Sequence, residues 1–147
     1  MLAPTASNAR VGKRATVLLI EDDPSVGLLL LDILSACQGI APLLIPHPGD
    51  IPADAEPDVV VTDLFGSAWY DRAIATRQLE VLRGRFPGVP IILVTAHWQA
   101  ERDRAVLPVD AVIAKPFDVD ALAQLVLSLE RTDRTRPSPE LPGPPEA

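Results

Sequence analysis

The chain has 147 residues, room for one ordinary globular domain and little else. A formal net charge of −7 argues against a nucleic-acid binder, which needs a basic surface to neutralise backbone phosphates. The 48% hydrophobic content, mostly aliphatic, argues against disorder throughout and suits a core packed between helices and a sheet.

The first 14 residues carry Pro, Ser, Asn and Gly without apolar periodicity and read as a disordered tail. Thr16 to Ile20 reads as a first strand. The acidic residues Glu21, Asp22 and Asp23 follow it too soon for a signal-peptide core, and the apolar runs fall short of the roughly 20 residues that cross a bilayer. A cytoplasmic protein with no membrane contact is therefore expected. Pro24 to Cys37 reads as a helix, with a proline suited to its first turn. Cys37 is the only cysteine, so no intramolecular disulfide can form.

Pro42 to Ile45 is a second strand and Val59 to Thr62 a third. Between them Pro46, Pro48 and Pro52 leave room for little more than one helical turn near Ala53 to Glu56, so a shortened or irregular second helix is expected. A helix from Asp71 to Arg85, a strand from Ile91 to Thr95, a helix from Gln99 to Leu107, a strand from Ala111 to Ala114 and a helix from Val119 to Arg131 complete the domain, 15–131. Residues 132–147 form a second, Pro-rich tail expected to be disordered. Continuous aliphatic strands alternating with helices predict a doubly wound α/β fold with a five-stranded parallel sheet.

In such a sheet the residues that follow the strands converge where ligands bind. Here these are Glu21, Asp22 and Asp23 after the first strand, Asp63 after the third, Thr95 at the end of the fourth and Lys115 after the fifth. Crowded carboxylates repel one another, and a hard divalent cation, Mg²⁺ or Mn²⁺, relieves the repulsion. A metal, an ammonium and a hydroxyl can together hold three phosphoryl oxygens, with Asp63 as the nucleophile that forms an acyl phosphate. Taken singly, each residue also has a plainer role: Asp22 or Asp23 can cap the helix at Pro24, and Asp63 can be a turn residue.

Four segments, Leu19-Ile20-Glu21-Asp22-Asp23-Pro24, Pro57 to Leu64, Ile91 to Ala96 and Ala114-Lys115-Pro116-Phe117, resemble the receiver domain of two-component response regulators, in order and at compatible spacing. The resemblance runs from Arg14 to Glu130 and implies a flavodoxin-like (βα)5 fold in a stand-alone regulator similar to the chemotaxis kind. It implies Asp63 as phosphoacceptor, and Asp22, Asp23, Asp63 and the Phe65 backbone carbonyl around Mg²⁺. Thr95 and Lys115 would contact the phosphoryl group, and Lys115-Pro116 would be cis. The donor would be a histidine kinase or phosphotransfer protein, and the receiver would act on no substrate beyond its own phosphorylation and dephosphorylation. Output would pass to a downstream protein target, and the apolar residues Val106, Leu107, Val109 and Leu125 would permit a homodimer.

Three positions depart from the family. The chain reads Leu64-Phe65-Gly66-Ser67-Ala68-Trp69-Tyr70-Asp71 after the phosphoacceptor, with Phe65 where a polar side chain near the attacking water is common; slow self-dephosphorylation is the expectation. His97 occupies another position that tunes phosphoryl lifetime, and Val112 stands where many relatives carry an aromatic switch residue. Trp69 and Trp98 on neighbouring loops suit a partner surface. These departures leave a second reading, a phosphorylation-independent pseudo-receiver that docks to a partner as an adaptor.

Overall fold

A computed structural model describes residues 14–65 and 69–135. Five strands, β1 (Ala15–Ile20), β2 (Ile40–Ile45), β3 (Val59–Thr62), β4 (Ile91–Thr95) and β5 (Ala111–Ala114), pair in parallel in the order β2-β1-β3-β4-β5. Helices α1 (Pro24–Ala36), α2 (Arg72–Arg85), α3 (Trp98–Arg102) and α4 (Val119–Thr135) connect or follow them. The doubly wound parallel sheet expected from the aliphatic strands is the one observed.

Strand periodicity divides the core into two layers. Leu18, Ile20, Val60, Ile91 and Leu93 face Ala75, Leu79 and Leu82 of α2. The alternate residues Val17, Leu19, Val59, Val61, Ile92 and Val94 face Leu30 and Leu34 of α1 and Leu122 and Val126 of α4. Both faces of β1, β3 and β4 are covered, which is why these strands read as unbroken aliphatic runs. Pro42 sits inside β2, which begins at Ile40 instead of Pro42; as an edge strand β2 tolerates a residue with no amide to donate. At the turn into β2, Gly39 holds φ at +91°, a conformation that a side chain disfavours.

Three expectations are corrected. The second crossover contains a single 3₁₀ turn, Pro48–Asp50, capped by His47 Nδ1, which accepts from the Gly49 amide at 3.0 Å; Ala53 to Glu56 form no helix. Prolines 46, 48, 52 and 57 remove the amides a helix would need, and Arg85 donates to the Pro52 carbonyl at 2.8 Å to pin the segment. Helix α3 spans five residues and stops at Arg102, well short of Leu107. Past it Val106 and Leu107 both donate to the Asp103 carbonyl, at 2.9 and 3.1 Å, and Pro108 bars further helix. Helix α4 runs to Thr135, past Arg131, because nothing between them breaks the helix. The rest of both tails, 1–13 and 136–147, lies outside the described residues, as does 66–68 of the loop after Phe65. Among the described residues no helix is long and apolar enough to cross a membrane.

Candidate functional site

At the carboxyl edge of the sheet the ladder continues one residue past each strand. Glu21 donates its amide to the Ile45 carbonyl (3.1 Å), Asp63 to Ile20 (3.2 Å) and Lys115 to Thr95 (2.8 Å). Three charged side chains thus leave backbone that is already fixed by sheet hydrogen bonds, and they converge. Lys115 Nζ donates to Asp63 Oδ2 at 2.8 Å and to Glu21 Oε2 at 2.9 Å. The remaining carboxylate oxygens are also held: Asp63 Oδ1 accepts from the Leu64 amide (2.7 Å) and Glu21 Oε1 from the Asp23 amide (3.1 Å). The peptide bond Lys115–Pro116 is cis, as the resemblance implied.

Burial governs the electrostatics. Glu21 is only 5% exposed, and desolvation pushes its carboxyl above the ordinary range against the opposing pull of Lys115. For Lys115 burial acts to lower the pKa, but hydrogen bonds to Asp63 and Glu21 outweigh it and hold the ammonium above its usual value. One positive charge is therefore shared between two acids from different strands.

The other expected residues are placed as follows. Thr95 is fully buried beside this cluster, and its Oγ1 accepts from the His97 amide at 3.1 Å, leaving the hydroxyl proton to donate elsewhere. His97 is half-buried with its ring 6.1 Å from that of Tyr70. Phe65 is 9% exposed and turns into the core, its ring edge-on to His47 at 5.7 Å, so it is a packing residue first. Val112 packs partly buried against the same core layer. Trp69 and Trp98 are 83% and 64% exposed, with the Arg102 guanidinium 5.4 Å above the Trp98 ring.

The acidic triplet divides differently from the expected pair. Asp23 is the N-cap of α1, its Oδ1 accepting from the amides of Ser25 (2.9 Å) and Val26 (3.2 Å). Asp22 is exposed, and Glu21, counted among the converging acids but not in the expected metal pair, is the acid that meets Lys115 and Asp63. The donor chemistry fits a hard cation, since Glu21, Asp22 and Asp63 offer only carboxylate oxygens and two of them already share a positive charge. They are no preformed cage: among the described residues no three acidic, His or Cys side chains group closely enough to hold a metal.

Two further contacts escaped the sequence. The Gln78 side chain of α2 binds both backbone polar atoms of Phe65, accepting from its amide at 3.0 Å and donating to its carbonyl, the atom expected to assist the metal. Tyr70 donates to Asp103 Oδ2 at 2.7 Å, and burial together with that bond pushes the phenol up to about 12. Neither pair has a signature in residue spacing. The Asp23-Pro24 dipeptide did carry one for Asp23, since Asp before a first-turn Pro is a capping pattern.

No protein-family model matches the chain. Over 132 residues it is 33% identical to the transcriptional regulatory protein BaeR of Escherichia coli O6:H1, an alignment covering 85% of this chain and 51% of that protein, so the chain spans about half the length of the curated relative it matches. Among solved structures it resembles a response regulator receiver protein from Sinorhizobium medicae (TM-score 0.65, 23% identity, 82% of this chain and 97% of the other). It also resembles the receiver domain of Francisella response regulator 1452 (TM-score 0.66, 20% identity, 84% of this chain and 100% of the other). The chain has the receiver-domain fold and resembles response regulators of two-component systems in both sequence and architecture.

Proposed function

We propose that this chain is a receiver that takes a phosphoryl group onto Asp63 and signals through protein contact. The observation that carries the reading is the Lys115 ammonium, 2.8 Å from Asp63 Oδ2 and 2.9 Å from Glu21 Oε2, with the buried Thr95 hydroxyl on the neighbouring strand. An Asp63 carboxylate oxygen would attack the phosphorus of a phosphohistidine on a histidine kinase or phosphotransfer protein. The O–P bond forms as the P–N bond breaks, and the imidazole leaves with the electron pair. Lys115 and the Thr95 hydroxyl would then each take a phosphoryl oxygen.

Glu21, Asp22 and Asp63 are the acids that would hold Mg²⁺ or Mn²⁺, which when bound supplies charge neutralisation for the phosphoryl oxygens. Asp23 contributes by fixing the start of α1 and, through its amide, the Glu21 carboxylate. Output would go to a downstream protein, and a stand-alone regulator and a homodimer both accord with this reading. The exposed Trp69 and Trp98 rings are the natural contact points beside the site.

The test is intact-mass measurement after Mg²⁺ and a small-molecule phosphodonor, on wild type and Asp63→Asn. A single phosphoryl adduct on wild type and none on the variant is the expected outcome. No adduct on wild type, with or without Mg²⁺, would favour the phosphorylation-independent adaptor.

A further inference from the structure

Past the Asp63 amide, which still bonds to the Ile20 carbonyl, the chain leaves the β3 ladder, and the backbone of Phe65 is held instead by a side chain. A primary amide offers a carbonyl and an N–H in the same geometry as a peptide group, and Gln78 uses both on one residue. Its Oε1 accepts from the Phe65 amide at 3.0 Å and its Nε2 donates to the Phe65 carbonyl. Gln78 itself is part-buried in the middle of α2, anchored on either side by the buried Ala75, Leu79 and Leu82. The side chain therefore acts as one extra ladder rung between α2 and the turn.

The turn so pinned aims the Asp63 carboxylate. Asp63 Oδ1 accepts from the Leu64 amide at 2.7 Å, and that amide belongs to the peptide group one step before the clamped residue. With Oδ1 fixed there, Oδ2 is left facing Lys115 Nζ at 2.8 Å. Freedom at Phe65 would pass to the Leu64 peptide and then to the carboxylate plane. We infer that Gln78 is a positioning residue: its two-point clamp on the Phe65 backbone sets the orientation of the Asp63 carboxylate toward Lys115.

This inference rests on the phosphoacceptor reading only for its kinetic consequence. Gln78→Leu removes both bonds at similar volume, and Gln78→Glu keeps the bond from the Phe65 amide while losing the one to the carbonyl. Hydrogen exchange of the Leu64 and Phe65 amides and the ¹³C shift of the Asp63 carboxyl are read first, on protein without any phosphodonor. Both amides should exchange at least about ten times faster in Gln78→Leu, with a shifted Asp63 carboxyl signal and a smaller change in Gln78→Glu. The rate of adduct formation at saturating phosphodonor should fall about tenfold in Gln78→Leu while the donor concentration giving half the rate stays the same. Unchanged Leu64 exchange and an unchanged Asp63 signal in Gln78→Leu would overturn the clamp. If wild type takes no phosphoryl group, the phosphoacceptor reading fails, and the amide and carboxyl signals alone decide the role of Gln78.

Discussion

The two sides of the sheet's carboxyl edge are built by different means. Around β1 and β3, Glu21 and Asp63 issue from a completed ladder, flanked by the long helices α1 and α2, and each of their carboxylate oxygens has a donor. Around β4 and β5 the connection is a five-residue helix followed by turns, β5 is only half-buried along its whole length, and Trp98 and Val106 face solvent. The first side holds the Asp63 carboxylate in one orientation. On the second, where β5 is half-buried and turns replace most of a helix, local opening should cost less. Val112, on the half-buried β5, packs against the core layer and offers no aromatic ring to swing, so any change of shape on this side must run through other residues.

Stability measurements test the contrast most strongly. Leu34→Ala in α1, at a fully buried position, should cost about 3 kcal/mol of unfolding free energy by denaturant titration. Val106→Ala, on the exposed turn after α3, should change it by no more than about 0.5 kcal/mol. Comparable losses at both positions would erase the distinction.

Titration of Glu21, followed by carboxyl NMR, sharpens the electrostatic half. Burial holds its pKa above 4.5, so Lys115→Met, which removes a lowering partner, should raise it further, and Asp63→Asn, which removes a like charge, should lower it. Shifts of the same sign in both variants would contradict shared charge. Lys115 has a folded pKa above 10.5, so its contribution to stability is complete below that value and is lost as pH rises through the folded one; Lys115→Met should lack this alkaline loss in thermal melts.

A smaller effect is expected where the β3–α2 loop reaches across to α3. Tyr70→Phe should cost about 1 kcal/mol through the lost bond to Asp103. Asp103→Asn should bring the phenol down from about 12 toward its ordinary value, since burial is then the main cause left that raises it. Tyr70 is the only tyrosine, so its ultraviolet titration reads this directly; an unmoved midpoint would show that the bond is not formed in solution.

The expected strands coincide with the observed ones at β3, β4 and β5 because fully covered parallel strands leave a continuous aliphatic signal. The convergence of three strand-end side chains was legible as well: Asp63, Thr95 and Lys115 stand at strand ends, and a parallel sheet brings strand ends together whatever the helices do. Proline content foretold a shortened second helix, though not that it would reduce to a single 3₁₀ turn at Pro48–Asp50. The sequence alone thus determined the strands and the residues at their carboxyl ends, since aliphatic periodicity is a local property, while the order β2-β1-β3-β4-β5 pairs residues as far apart as Val17 and Val59. That Glu21 is the acid of the triplet that meets Lys115, while Asp23 caps α1, was decided only by the tertiary structure. The hold of Gln78 on Phe65 and of Tyr70 on Asp103 was likewise tertiary, because these bonds span 13 and 33 residues and depend on how α2 and α3 pack, which no spacing in the chain encodes.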